Sequence, residues 1–144
     1  MSITDTDMVH QLTRVLRINI WEHIILFSGD GTETQYEIIS IDKKSIRLRG
    51  ESQSTPNTES KKKVSLYQAL PNKYEKIEYI LQKWVEIGIS RFVFFRSDRS
   101  QKLAISPAKI ERCMTIAREA LEQCGGTIMP EIIFQDKFMK DENP

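Results

Sequence analysis

The C-terminal part of the chain alternates between strand-like and helix-like patterns of apolar residues. Strands are predicted at 64–70, 91–95 and 131–134. The segment 91–95 is aromatic and apolar throughout its interior, as expected for a strand that is covered on both faces. The order strand, helix, strand, helix, strand with short connections predicts a parallel sheet with right-handed crossovers.

Two helices are predicted between these strands. The first spans 74–87 and ends near Gly88, whereas the second begins with the cap Ser106 and the first-turn residue Pro107 and ends at Gly125. Their predicted buried stripes are Ile77, Ile80, Leu81, Trp84 and Val85 in the first helix, and Ile110, Cys113, Met114, Ala117, Leu121 and Cys124 in the second. This pattern makes Trp84 a core residue and both cysteines inert, reduced thiols.

The N-terminal part of the chain has shorter elements. Thr4 or Asp5 is predicted to cap a short helix. The predicted buried positions of that helix are Met8, Leu12 and either Val15 or Leu16. Strands follow at 23–27, 36–41 and 45–49, and the last of them reads S-I-R-L-R, with its cations on one face. The pattern indicates a small, mostly β unit of about 50 residues.

A polar segment separates the two parts. Residues 51–63, ESQSTPNTESKKK, contain no large apolar side chain and therefore bury too little to order themselves. The predicted organisation is a β domain at 1–50, a linker at 51–63 and an α/β domain at 64–144.

Composition excludes several classes of protein but selects none. The net charge of +1 over 144 residues gives no global reason to expect binding to nucleic acid or to a membrane. The sequence shows neither a signal peptide nor an apolar span of membrane length, which predicts a soluble cytoplasmic protein. No His/Cys cluster has the spacing of metal ligands, so no metal site is expected.

Local charge is more informative than net charge. The carboxyl ends of parallel strands meet at one edge of a sheet, where ligands bind. The loops after the first two strands, PNKYEK and RSDRSQK, are therefore expected to lie together. They contribute the cations Lys73, Lys76, Arg96, Arg99 and Lys102. Such an edge suits an anion, and phosphate is the commonest one.

The run QALPNKYEKIEYILQKWVEIGISRFVFFRSDRS resembles the first half of the RsmE-like RNA methyltransferases of the SPOUT (trefoil-knot) class. The matching positions are Gln68, Ala69, Pro71, Lys83, Glu86, Gly88, Arg99, Ser100, Glu119, Ala120, Glu122, Gln123, Pro130 and Ile132. Upstream, HQLTRVLRI is similar to the H-x-x-x-V-L-R signature that opens the family's PUA-like RNA-binding domain. The matching residues there are His10, Val15, Leu16 and Arg17.

This resemblance implies a fold, a reaction and partners. The fold is α/β, the parallel-sheet first half of a trefoil-knot domain, with a small PUA-like β domain at its N-terminus. The implied enzyme is cytoplasmic and transfers a methyl group from S-adenosylmethionine to N3 of a uridine in 16S ribosomal RNA of the small ribosomal subunit. The family acts as a homodimer and holds its cofactor in a C-terminal knot.

The chain departs from the family pattern at both ends. The PUA-like domain is expected to be incomplete at its start, because the family's opening strand would precede the helix that starts near Thr4. The family's Gly-Pro-Glu-Gly-Gly cofactor loop is expected to be missing, because no glycine follows Gly126. Gly126 also replaces a family arginine, and Val85 replaces a family threonine. The chain is therefore expected to be the substrate-side half of such an enzyme, with the cofactor site beyond residue 144, and to be inactive alone.

Candidate site residues follow from the resemblance and from the cationic loops. The expected RNA contacts are Arg14, Arg17, Lys43, Lys44, Lys73, Arg96, Arg99, Ser100 and Lys102. Lys83 and Glu86 are candidate catalytic residues, although their spacing equally suits an ion pair within one helix. His10 is interpreted as a packed or capping residue and His23 as structural, and the catalytic base is not identified.

Three functions remain open from the sequence. The first is part of a methyltransferase, and the second is an RNA-binding module that has lost its chemistry. The third is a small α/β domain that serves only for dimerisation.

Overall fold

The computed structural model describes residues 1–56, 60–98 and 104–139. The chain divides into two units, Met1–Pro56 and Asn57–Pro144. The predicted RNA contacts Arg99, Ser100 and Lys102 lie outside the described residues.

The strand pattern of the first unit folds into an antiparallel sheet. Its strands are β1 (Ser2–Ile3), β2 (His23–Phe27), β3 (Glu33–Ile41) and β4 (Ile46–Ser54), in the order β1-β4-β3-β2. The prediction of β2 was correct to the residue. The two-residue strand β1 was not predicted, because so short a segment carries no alternation.

The predicted N-terminal helix is present as α1 (Thr6–His10), and it continues directly into a π-helical turn (Gln11–Val15). Asp5 caps α1, since its carboxylate accepts the Met8 N–H at 2.9 Å. The core of this unit consists of Ile3, Val9, Leu12, Ile38, Ile46 and Leu48.

The predicted buried face of this helix is wrong in part. Leu12 is buried as predicted, but its buried neighbour is Val9, whereas Met8, Val15 and Leu16 are exposed. The π-helical turn holds more residues than an α-helical one, so the positions after Leu12 rotate away from the core.

The predicted linker begins too early. Residues 51–54 belong to β4 and pair with β3, as in the pairs Thr34↔Gln53 and Gln35↔Ser52. The backbone hydrogen bonds of an antiparallel ladder hold this stretch, so it needs no large apolar side chain.

The second unit contains the predicted parallel sheet. Its strands are β5 (Ser65–Ala69), β6 (Arg91–Phe95) and β7 (Glu131–Gln135), which pair in that order. The central strand buries Phe92, Val93 and Phe94. The mixed α/β fold with a parallel sheet is thus confirmed.

The two predicted helices connect these strands as α2 (Tyr74–Val85) and α3 (Pro107–Cys124). The Ser106 hydroxyl accepts the Lys109 N–H and caps α3, and Gly125 ends it with a φ of 72°. The helices pack on each other through Tyr74, whose hydroxyl donates to the Lys109 carbonyl oxygen and lies 3.3 Å from Cys113 Sγ. None of the helices in the described ranges combines the length and the apolar character that a membrane span requires.

The buried stripe of α2 is narrower than predicted, whereas that of α3 is displaced around the helix, because it includes Ile116 and Ala120. In α2 the buried positions are Ile77, Leu81 and Val85, and in α3 they are Cys113, Ile116, Ala117, Ala120 and Leu121. The prediction of Trp84 as a core residue was wrong, because 40% of it is exposed. Ile110, Met114 and Cys124 are exposed as well, since they lie beside the stripe rather than on it.

The two cysteines differ in their environments. Burial raises the pKa of the Cys113 thiol, which disfavours the reactive thiolate. Cys124 is exposed, and its Sγ lies 3.6 Å from the Leu121 carbonyl oxygen.

Candidate nucleic-acid interface

The carboxyl ends of the parallel strands place two of the predicted cations at one edge. Directly after β5, the Leu70 N–H donates to the Phe95 carbonyl oxygen at 2.8 Å. Directly after β6, the Arg96 N–H donates to the Gln135 carbonyl oxygen at 3.3 Å. Lys73, three residues after Leu70, is the N-cap residue of α2. Lys73 and Arg96 therefore share the edge of the sheet at which the sequence placed them.

The electrostatics of this carboxyl edge favour an anion. Arg96 has one ion-pair partner among the described residues, Asp136, with Nε and Oδ1 3.8 Å apart and both side chains well exposed. Such a pair is weak, so a phosphate can replace the carboxylate. The N-terminus of α2, flanked by Lys73, adds the positive end of a helix dipole to the same edge.

Gln135 is a further polar residue at this edge, and the sequence reading missed it. Its side-chain Nε2 is buried and has no hydrogen-bond acceptor within the described ranges. The residue pairs with Phe95 at the carboxyl end of β7. Its position as the last residue of an apolar strand was the available signal.

The other predicted cations lie on the first unit. Arg14 belongs to the π-helical turn, Arg17 follows it with a φ of 53°, and both side chains are exposed. Lys43 and Lys44 are exposed in the turn that the Asp42 N–H closes on the Ser45 carbonyl oxygen at 2.8 Å. Within the described part of the chain, none of these four cations takes part in an ion pair.

A cluster of polar side chains crosses β2, β3 and β4. Nε2 of His23 lies 3.1 Å from a carboxylate oxygen of Glu51, and the Arg49 guanidinium binds the carboxylate of Glu37. His23, Glu37 and Glu51 bring their ligand atoms within 4.8 Å of one another, a donor set that suits a divalent metal. Arg49, however, already neutralises Glu37. These contacts fit cross-strand pairs, in line with the structural role expected for His23.

The candidate catalytic pair lies away from the carboxyl edge. Lys83 Nζ and a carboxylate oxygen of Glu86 are 3.2 Å apart, so the structure contains the ion pair that their spacing allowed. They lie at the C-terminal end of α2, about 18 Å along the helix from Lys73. Their catalytic role stays a prediction. His10, expected to be packed or capping, is exposed at the end of α1.

Trp21 is a second residue that the sequence reading missed. It is 66% exposed and has a φ of 77°, a left-handed conformation that is rare for a bulky side chain. The signal was a tryptophan in the turn-like stretch N-I-W-E directly before β2.

Comparison with protein families identifies both units. A family described as an RNA methyltransferase domain matches residues 58–140, and one described as an RNA methyltransferase PUA domain matches residues 3–49. The sequence resemblance to this group is therefore confirmed.

Individual relatives agree with this result. The ribosomal RNA small subunit methyltransferase E of Bacillus subtilis is 34% identical over 142 residues, which are 96% of this chain and 55% of that protein. The protein of the same name from Buchnera aphidicola is 34% identical over 126 residues, or 85% of this chain and 49% of that protein. The chain thus spans about half the length of these curated relatives.

Solved structures show the same fold. A putative methyltransferase from Legionella pneumophila, in complex with the bound cofactor SAM, has a TM-score of 0.80 and 27% identity, covering 94% of this chain and 56% of that one. A probable rRNA methyltransferase from Porphyromonas gingivalis has a TM-score of 0.79 and 26% identity, covering 92% and 54%. The chain belongs to the RNA methyltransferase family, with a PUA domain before its methyltransferase domain.

Proposed function

We propose that the chain is the substrate-binding half of an enzyme that methylates N3 of a uridine in 16S rRNA of the small ribosomal subunit. The observation that carries this proposal is the succession of a PUA domain and an RNA methyltransferase domain in one chain. Relatives named ribosomal RNA small subunit methyltransferase E support the choice of RNA. The family resemblance supports the uridine N3 target, a trefoil knot, a homodimer and a cytoplasmic location.

In this proposal the exposed cations contact phosphates. Arg14 and Arg17 belong to the PUA domain, whereas Lys73 and Arg96 lie at the carboxyl edge of the parallel sheet. Such contacts position an RNA without reading its sequence. Methylation at N3 also requires loss of the N3 proton, and nearby cations would favour the deprotonated ring. No residue of the described part is assigned as the base.

We propose S-adenosylmethionine as the methyl donor of the enzyme, with its site outside the described residues. The carboxyl edge offers the cations Lys73 and Arg96, which repel a sulfonium ion. No glycine follows Gly126, so the chain has no later glycine loop that could let backbone approach an adenosine closely. The expectation that this chain alone binds the cofactor negligibly therefore stands as a prediction.

A second candidate function rests on the same exposed cations. An RNA-binding module without chemistry would need the same cations and nothing more. Incubating the protein that contains this chain with unmethylated small ribosomal subunits and labelled S-adenosylmethionine separates the two. Label in 16S rRNA supports the enzyme, whereas RNA binding without transfer supports the module.

The salt dependence of RNA binding tests the carboxyl edge itself. For single-stranded RNA, log K is expected to fall with log salt by about 0.7 per phosphate contact, because each contact releases condensed counterions. Arg96→Ala should flatten that slope by about 0.7, and adding Lys73→Ala should double the effect. The matched control is Arg118→Ala, which removes an exposed arginine from the middle of α3. Equal slopes for all variants would contradict the assignment of this edge to RNA.

A further inference from the structure

The loop between the first helix and β2 holds an arginine where glycine is usual. The Ile18 N–H donates to the Leu12 carbonyl oxygen at 3.1 Å, and Ile18 packs against the core that contains Leu12. Arg17, with its φ of 53°, is the residue at which the chain turns from the end of the helix back toward the core. Glycine most often occupies such a left-handed position at the end of a helix.

The same loop holds Trp21 in a second glycine position. The Glu22 N–H donates to the Asn19 carbonyl oxygen at 3.3 Å, so Trp21 is the third residue of a four-residue turn. Its φ of 77° is close to the value of about 80° that this position has in a type II turn, where glycine or asparagine is favoured.

The hydrogen bonds to β3 lead to the same conclusion. The Trp21 N–H donates to the Ile38 carbonyl oxygen at 2.9 Å, and the Ile38 N–H donates to the Glu22 carbonyl oxygen at 2.9 Å. Two residues thus face one, as in a β-bulge whose first residue is normally a left-handed glycine. The helix end at Arg17 and the combined turn and bulge at Trp21 therefore favour glycine at these two positions.

Packing does not compensate for this strain, because Trp21 is 66% exposed and Arg17 is exposed as well. Residues held in sparsely populated backbone regions cluster at sites where the side chain has a function. At such sites a residue can occupy a backbone conformation that disfavours it, because its side chain contributes to function. The side chains at these two positions are the large aromatic ring of Trp21 and the guanidinium of Arg17.

The surroundings of Trp21 suit a nucleotide. The segment from Arg14 to Trp21 also exposes Val15, Leu16 and Ile20. The carboxylate of the adjacent acid, Glu22, is held by Asn19, since it accepts hydrogen bonds from both the backbone and the side-chain N–H groups of that residue. Unpaired bases stack on aromatic rings, while cations beside the ring bind phosphate.

Net charge alone would not bring RNA to this unit. Residues 1–56 contain six Lys and Arg against eight Asp and Glu. An RNA contact there needs a local cation and a contribution that does not depend on charge. Arg17 and Trp21 supply these two contributions from one loop.

We propose that Trp21 stacks on an unpaired base of the RNA substrate while Arg17 contacts a neighbouring phosphate. This inference rests on the proposed RNA-binding function and adds a residue that fixes the position of the RNA strand. It also explains why two glycine positions carry large side chains.

Binding of a short single-stranded oligouridine and of an RNA duplex of equal length tests the proposal. Trp21→Gly should weaken binding of the single strand roughly 5- to 150-fold, the range of one lost base stack, and leave duplex binding unchanged. The salt slope should stay the same, because stacking releases no counterions. Arg17→Gly should instead flatten the slope by about 0.7. Tyr79→Ala, which removes an equally exposed aromatic from α2, should change neither quantity.

Fluorescence provides a direct readout of the stack. The chain contains two tryptophans, and Trp84→Phe leaves Trp21 as the only one. Oligouridine should quench the emission of this variant, and Trp21→Phe in the native background should retain most of the affinity. The melting temperature of Trp21→Gly should be no lower than that of the native chain, since glycine relieves the backbone strain.

Four outcomes would overturn the inference. They are unchanged affinity of Trp21→Gly for the single strand, an equal loss for the duplex, a lower melting temperature, and a changed oligomeric state with RNA binding intact. The last would assign the loop to a protein interface. Each of them leaves the proposed function standing provided that the native chain binds RNA. If the native chain binds neither RNA, the proposed function fails together with the inference.

Discussion

The two candidate RNA-binding surfaces are built in opposite ways. At the carboxyl edge of the parallel sheet, Lys73 and Arg96 follow regular strands, and every described element there has an ordinary backbone. In the loop of the first unit, Arg17 and Trp21 occupy positive-φ positions that hydrogen bonds to Leu12 and Ile38 fix from both sides. The cations of the carboxyl edge lie on ordinary backbone, whereas the large side chains of the loop occupy positions whose backbone conformation favours glycine.

This difference teaches what each surface can contribute. A cationic edge attracts any RNA and loses affinity with salt, because its contacts are with phosphates. A strained loop that presents an aromatic ring can distinguish unpaired bases from a duplex. If both proposals hold, the first surface supplies encounter and the second supplies placement, so substitutions in the two units should have separable effects.

The largest expected effect comes from removing an aromatic ring from the core of the second unit. Phe94 is fully buried and stacks on Phe134 with ring centroids 5.3 Å apart. Phe94→Ala should lower the free energy of unfolding by about 3–5 kcal/mol. Hydrogen exchange should show this loss in β5 to β7, whereas the amides of β2 to β4 should be unchanged. The emission of Trp21, measured in the Trp84→Phe background, should be unchanged as well.

The matched substitution in the first unit is Ile38→Ala, at a residue that is also fully buried. It should cost about 2–5 kcal/mol and affect the amides of β2 to β4 alone. If either substitution lowers the protection of both units by the same amount, the two units unfold together and the comparison between them loses its basis.

The second unit was the more predictable from sequence. Its strands and helices follow from apolar runs, the Ser106 cap and the stops at Gly88 and Gly125, because burial and capping act on neighbouring residues. The width of the stripe in α2 was overestimated and the position of the stripe in α3 was partly wrong, since the pattern does not show which part of a helix surface its neighbours cover. Trp84 was misplaced for that reason.

In the first unit, the sequence pattern did not predict several features of the backbone. The π-helical turn after His10 and the pairing of Gln53 depend on backbone hydrogen bonds that side-chain patterns do not reveal. For the candidate site, the cations Lys73 and Arg96 could be placed at one edge from topology alone. Trp21 could not be assigned, because its significance lies in its φ of 77° rather than in its residue type.

A smaller effect is expected from the acid that closes the strained loop. Hydrogen bonds from the backbone N–H and then the side chain of Asn19 lower the pKa of Glu22 below its usual value of 4.5. A carboxyl group whose pKa is lowered on folding stabilises the fold above its unfolded pKa, and this contribution is lost as the pH falls through the folded pKa. In the Trp84→Phe variant, Trp21 emission should therefore change below about pH 4.5.

Two substitutions sharpen this test. Glu22→Gln should remove the pH dependence of Trp21 emission, since the amide does not titrate. Asp30→Asn is the control, because the pKa of Asp30 is also lowered, by hydrogen bonds from the Thr32 hydroxyl and N–H, but in a different turn. If Trp21 emission does not change with pH when Glu22 is present, Glu22 does not fix the loop. The same conclusion follows if Glu22→Gln and Asp30→Asn change the emission equally.

The smallest effect is expected at the end of α2 that lies away from the carboxyl edge. Lys83 and Glu86 form an exposed pair, so solvent screening should limit their contribution to about 0.5 kcal/mol or less. A double-mutant cycle with Lys83→Met and Glu86→Gln should give a coupling energy within that limit, with RNA affinity unchanged. Methyl transfer by the protein that contains this chain should be unchanged as well. If Glu86→Gln abolished methyl transfer while RNA binding and stability persisted, the pair would have a chemical role. The chain would then have a third functional surface in addition to the carboxyl edge and the loop.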